Sequence, residues 1–302
     1  MEDDQLEDLA RRLHDEHGIL IPTQPSSEFT LRTDNRPNST PAPQSLIRLE
    51  RAINDRVPYA GKLAKIIVFY SSLEWSYPGR TWPQNIGGTT KTRDYDEMPL
   101  MIAEDQYYIT ARGKELVDDD LPVAGSPYPF VRTAMDYFSY GFFHELGHGI
   151  DLEILFRKYD NVEQYVKEAE NADAIKDNPI YATFGELTGW RFGRGVVAQR
   201  MMITFNVDVG DKWLNPVKEE ANGGDFVQHP DEGSVRRLLF TRHPLTNSIS
   251  EVFADFFVAY LMAPEVLTAD ENRYFGRLHK GLKCSPEQFM REIARNPQML
   301  LK

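Results

Sequence analysis

His144, Glu145 and His148 are the residues whose types and spacing promise the most chemistry in this chain. Each helical residue turns about 100°, so the second imidazole returns to within about 40° of the first and sits one turn along, as two ligands of one metal ion require. Glu145, about 100° round from His144, can stand beside such an ion without binding it. There it can take a proton from metal-bound water and later hand it to a leaving amine. With seven histidines in the chain, His-Glu-x-x-His arises by chance in about one such sequence in a hundred. Gly147 and Gly149 flank the second histidine, and each lowers helix propensity by about 1 kcal/mol. A purely structural helix gains nothing from them, whereas an active-site helix gains room for the close approach of a substrate or another strand.

A catalytic zinc ion takes three protein ligands and keeps a fourth position for water. After His148 the chain runs Gly149-Ile150-Asp151-Leu152 with no further histidine in range, so the third ligand is sought among carboxylates. Ser248 to Tyr260 predicts a second helix that turns Val252, Phe253, Phe256 and Phe257 inward and stops before Pro264. Glu251 and Asp255 lie one turn apart on it. Glu251 can bind zinc while Asp255 accepts the free N–H of a ligand histidine and fixes its tautomer. Ser248-x-x-Glu251 also fits a capping box, which would employ the glutamate only at the helix N-terminus. Glu186 is a second candidate ligand, without an acidic partner one turn on. Asp151 lies within about 20° of His144 around the helix but nearly two turns along. That suits a hydrogen bond to a ligand, or a charge on a cleft rim, better than ligation.

These residues need elements to hold them. Val131 to Arg157 predicts the motif helix, with Phe138, Phe142, Leu146, Ile150 and Ile154 as an i, i+4 ladder on its buried face. Leu46, Ile47, Leu49, Ile53 and Val57 predict an earlier amphipathic helix, and Lys65 to Ser72 a strand buried on both faces. Met98 to Ala103 and Gln106 to Ala111 are further strand candidates, and the rest of the chain reads as mainly helical. Upstream, Glu2 to His17 carries Leu6, Leu9 and Leu13 at helical spacing, as a docking element or a solvated arm. Pro22 to Gln44 is rich in Pro, Ser, Thr and Asn and reads as a linker or strap. Residues 1–44 are thus set apart from a main domain over 45–302, with an inserted subdomain at about 161–239.

Composition narrows the function classes. The 302 residues carry 34 Lys plus Arg against 46 Asp plus Glu, a net charge of −12 that repels phosphate and argues against nucleic acid. Cys284 is the single cysteine, which excludes an internal disulfide and any cysteine-based metal cluster. Residues 1–20 lack a basic region followed by an apolar one, and no apolar run spans a membrane. The expectation is a soluble protein, cytoplasmic or exported by a route other than Sec. Of the remaining histidines, His14 and His17 fit a solvated helix face, and His229 and His279 fit the surface. Met201, Met202, Phe205 and Trp190 fit core packing.

At the level of motifs the chain resembles the anthrax lethal factor catalytic-domain-like metallopeptidases, which are gluzincin-type zincins. The likeness is carried by LIRLERAINDRVP, KIIVFYSS, a Gly-Gly loop with strands, FHELGHGID at 143–151 and EVFAD at 251–255, and it runs from about Ser45 to Pro264. It implies an α+β zincin-like fold, with a small twisted sheet packed on the active-site helix and a mainly helical C-terminal part. It implies zinc as cofactor, His144, His148 and Glu251 as ligands, and Glu145 as the base of an endopeptidase acting on a protein or peptide substrate, as delivered toxins or effectors of the family do. A catalytically inactive zincin-like binding module is the alternative. Where the family places a tyrosine two turns before its glutamate, this chain has Pro244 beside His243 and Arg242. Either neighbour could donate a hydrogen bond to the oxyanion, and His243 is the candidate. The acidic net charge further predicts a preference for Lys- or Arg-containing substrate segments.

Overall fold

The computed structural model of the chain describes residues 2–26, 40–70, 99–103, 130–158, 178–188, 191–198, 206–214 and 249–302. They form a helix-rich α+β structure, and contacts divide the chain into two units, Met1–Gly149 and Ile150–Lys302. No helix of the described residues is long and apolar enough to cross a membrane.

In the first unit, α1 (Glu2–His17) is a docked element. Leu6, Leu9 and Leu13 are all buried, and Arg12 forks onto Glu50 of α2 (Pro43–Arg56) with bonds of 2.7 and 2.6 Å. Pro43 opens α2, its fixed φ suiting the first helical turn, and Leu46, Leu49 and Ile53 are fully buried as their spacing predicts. α1 stops at Gly18, whose φ of +71° is left-handed. Its N–H donates to the carbonyl of His14 at 2.8 Å, closing the helix end. The chain then turns so that Leu20 bridges to Ile66 in parallel. A short helix, α3 (Ala60–Leu63), leads into β1 (Ile66–Tyr70), which pairs in parallel with β2 (Pro99–Ala103) from Ile66 opposite Pro99 to Tyr70 opposite Ala103. Ile67, Val68 and Phe69 are buried, as the unbroken apolar run predicts. The strand expected at 106–111 lies outside the described residues.

The motif helix, α4 (Ala134–Lys158), is 25 residues long. Its start is fixed by a reciprocal cap: Thr133 Oγ1 accepts from the Asp136 N–H at 3.1 Å, and Asp136 Oδ2 accepts from the Thr133 N–H at 3.1 Å. At its far end the Arg157 Nε–H donates to Glu153 at 2.5 Å. The whole predicted ladder, Phe138 to Ile154, is buried.

The second unit is held by an aromatic cluster. Phe184 of α5 (Pro179–Thr188) meets Phe253 and Phe256 of α6 (Ile249–Met262) edge-on, at 5.5 and 5.3 Å between centroids. Phe275 of α7 (Ala269–Cys284) packs 6.2 Å from Phe184. α6 is buried on all sides from Val252 to Ala259, which explains its near-continuous apolar sequence. Thr268 and Glu271 cap α7 reciprocally, and α8 (Pro286–Arg295) follows with proline in its first turn. The expectation of a mainly helical C-terminal part needs one addition. β3 (Arg191–Ala198) and β4 (Asn206–Leu214) form an antiparallel pair with a register shift at Gly195/Val196. Glycines at 193, 195 and 210 interrupt the alternation that would have announced the two strands.

Two outcomes follow from this packing. A Cβ on Gly61 would lie 1.8 Å from the carbonyl oxygen of His17, so Gly61→Ala should cost about 1 to 3 kcal/mol in urea unfolding through overpacking. In the second unit, Tyr274 is buried and shares a 3.0 Å hydrogen bond with Thr183. Burial pushes its phenol far above the ordinary tyrosine range, with the Thr183 bond opposing the shift. A raised folded-state value means that the neutral phenol's stabilisation is complete below pH of about 10 and is lost as pH rises beyond it. Tyr274→Phe should therefore be less stable than wild type at pH 7, with the gap closing in unfolding curves recorded above pH 10.

Candidate metal centre

The helix geometry places two ring edges face to face. His144 Nε2 and His148 Nε2 are 3.2 Å apart, with ring planes at 87°. At that distance one imidazole can donate to the other, or both lone pairs can face a common cation. Two nitrogens bound at 2.0–2.1 Å to a tetrahedral zinc ion stand about 3.3 Å apart, close to the separation of this pair. Tyr140, one turn earlier and buried, lies 5.8 Å from the His144 ring and limits its rotation. His144 and Glu145 are each 5% exposed, while His148 and Gly149 are half-buried. A Cβ on Gly149 would meet no described atom beyond its chain neighbours and its own helix backbone within 4 Å.

The other expected site residues fall out differently. Glu251 lies in the first turn of α6, and its side chain is outside the described residues, as are His243 and Ser248. Asp255 is on α6 and buried at 2% exposure. Among the described residues no three His, Cys, Asp or Glu side chains gather around one point; the pair brought together is His144 with His148. Glu186, the rival ligand, is exposed and accepts from the Gln298 side-chain amide at 3.3 Å. Asp151 is not a rim charge. It is 1% exposed, and its Oδ2 accepts from the Tyr181 hydroxyl at 2.6 Å. Its depth follows from the segment 178–188 packing over that turn, which helical angle alone does not reveal.

Two histidines expected at the surface are half-buried. His17 sits at the tight α1 terminus beside Gly61, and His279 meets the Tyr260 ring edge-on at 5.6 Å. Cys284 is exposed. His229, Trp190, Met201, Met202 and Phe205 lie outside the described residues. Asn178 and Tyr181 were not anticipated from the sequence, although Asn-Pro at 178–179 is a helix-start signal that could have marked them.

No family model, curated protein or solved structure matches the chain. The metal reading rests on the motif and on the geometry of the histidine pair. Zinc at about one hundred times its dissociation constant should stabilise the wild-type chain by about 2.7 kcal/mol, read as a rise in Tm. His144→Ala and His148→Ala should abolish the rise, and Glu186→Ala should keep it.

Proposed function

We propose that the chain is a zinc-dependent endopeptidase with a zincin-like fold, acting on a protein substrate as a delivered effector or a resident protease. The observation that carries the proposal is the 3.2 Å approach of His144 Nε2 to His148 Nε2, with the buried Glu145 on the same helix. The resemblance of FHELGHGID and EVFAD to the lethal factor catalytic-domain-like peptidases supports it.

In this reading His144 and His148 hold the metal through Nε2, Glu251 supplies the third protein ligand, and Asp255 accepts the remaining N–H of a ligand histidine. Zinc bound there supplies an acidified water and polarises the scissile carbonyl. Glu145 receives the proton released when the peptide carbonyl is attacked, holds it on its carboxylate, and returns it to the departing amine. His243 donates a hydrogen bond to the oxyanion. A binding module that used zinc only as a strut would fill all four positions with protein groups and would have no use for Glu145.

Glu145→Ala should therefore keep stoichiometric zinc while peptide hydrolysis falls by about two to four orders of magnitude. The check compares, by mass spectrometry, new N-termini in a proteome incubated with each zinc-loaded protein. Sites cut by wild type and spared by the variant are the expected result. Equal cutting, or none by either, would favour the binding module.

A further inference from the structure

Asp151 is gripped twice by one short segment of chain. The Tyr181 hydroxyl donates to its carboxylate at 2.6 Å, and the Asn178 side-chain amide donates to its backbone carbonyl at 3.0 Å. The three residues are buried, at 1%, 3% and 2% exposure for Asp151, Tyr181 and Asn178. Asn178 is itself fixed. Its Oδ1 accepts from the Ile180 N–H at 3.2 Å and its backbone carbonyl from the Tyr181 N–H at 3.1 Å, so it caps α5 with one end of its amide and holds α4 with the other. Pro179 at the first helical position prepares that start. Asp151 comes three residues after His148 on the same continuous helix. It projects within about 60° of His148 and about 20° of His144 around the axis.

A metal pair tolerates little error in the aim of its two rings, and the groups that orient ligands are worth about 10- to 100-fold in metal affinity. Hydrogen bonds to both the backbone and the side chain of one residue fix the rotation and the height of a helix at that turn. A single apolar contact would fix neither. From this arrangement we infer that Tyr181 and Asn178 are positioning residues for the His144/His148 pair, acting through Asp151 to set the turn of α4 that follows His148. The inference rests on the metal reading of that pair.

Three variants of the full chain separate the bonds. Tyr181→Phe keeps the buried ring and removes the hydroxyl donor, Asn178→Ser keeps a capping oxygen and removes the amide donor, and Thr183→Val removes a buried hydroxyl of the same helix that bonds Tyr274 and not Asp151. Zinc affinity is measured by competition with a chromophoric chelator, and ligand geometry from the visible bands of the cobalt-loaded protein. Tyr181→Phe and Asn178→Ser should bind zinc about 10- to 100-fold more weakly with altered cobalt bands, while Thr183→Val should stay close to wild type in both. Wild-type affinity and wild-type bands in the first two variants, whatever their Tm, would overturn the positioning role and leave the metal centre standing. If Tyr181→Phe does not fold, the contrast of Asn178→Ser with Thr183→Val separates the same two outcomes. Failure of the wild-type chain to bind zinc or cobalt would overturn the metal reading itself, and the inference with it.

Discussion

Two imidazole nitrogens 3.2 Å apart are a demanding arrangement, because each ring must hold one rotamer and the backbone between them must not flex. The i, i+4 spacing brings the rings to one side of the helix, but side-chain torsions and helix fraying would separate them in an isolated peptide. What holds them is burial. Phe138, Phe142, Leu146, Ile150 and Ile154 fix the opposite face of α4, Tyr140 restrains His144 from one turn below, and the Thr133/Asp136 cap fixes the first turn. In the proposed reaction Glu145 gains from the same rigidity. A carboxylate that must receive and return a proton works at hydrogen-bond reach, so its Cα cannot wander by an ångström.

Each unit has its own core. The first has a small parallel sheet and buries Phe69, Phe142 and Phe143 together with its aliphatic side chains, with α1 clamped to α2 by the two-pronged Arg12 to Glu50 contact and Gly61 allowing the α1 terminus to sit against α3. The second relies on rings. Phe184, Phe253, Phe256 and Phe275 meet mostly edge-on or tilted, a geometry that adds directional preference to apolar burial. Beside them Thr183 and Tyr274 satisfy one another inside the core, which keeps a deeply buried hydroxyl pair from becoming a liability.

Much of this was legible in the sequence where a period was intact. The ladder on α4, the leucines of α1 and the apolar run of β1 all bury as their spacing requires, because a regular stripe has one favourable destination. Broken periods hid the rest. Three glycines masked the β3 and β4 pair, and of the two roles the helix position offered Asp151 its burial removes the one on a cleft rim, since the packing of 178–188 over that turn is a tertiary fact. The Thr133/Asp136, Thr268/Glu271 and Asn178-Pro179 helix starts were readable from local chemistry. They are quieter than a histidine motif because Ser, Thr and Asn recur throughout any chain.

Everything proposed for the chain's chemistry requires that His144 and His148 chelate one zinc ion through the edges that face each other. The decisive measurement is the zinc-edge X-ray absorption spectrum of the zinc-loaded chain, compared with that of His148→Ala. Imidazole backscattering from two nitrogens at about 2.0–2.1 Å together with oxygen ligands is expected, with loss of one imidazole or of the metal in the variant. A spectrum without imidazole signature, or one unchanged by His148→Ala, would refute the shared zinc ion.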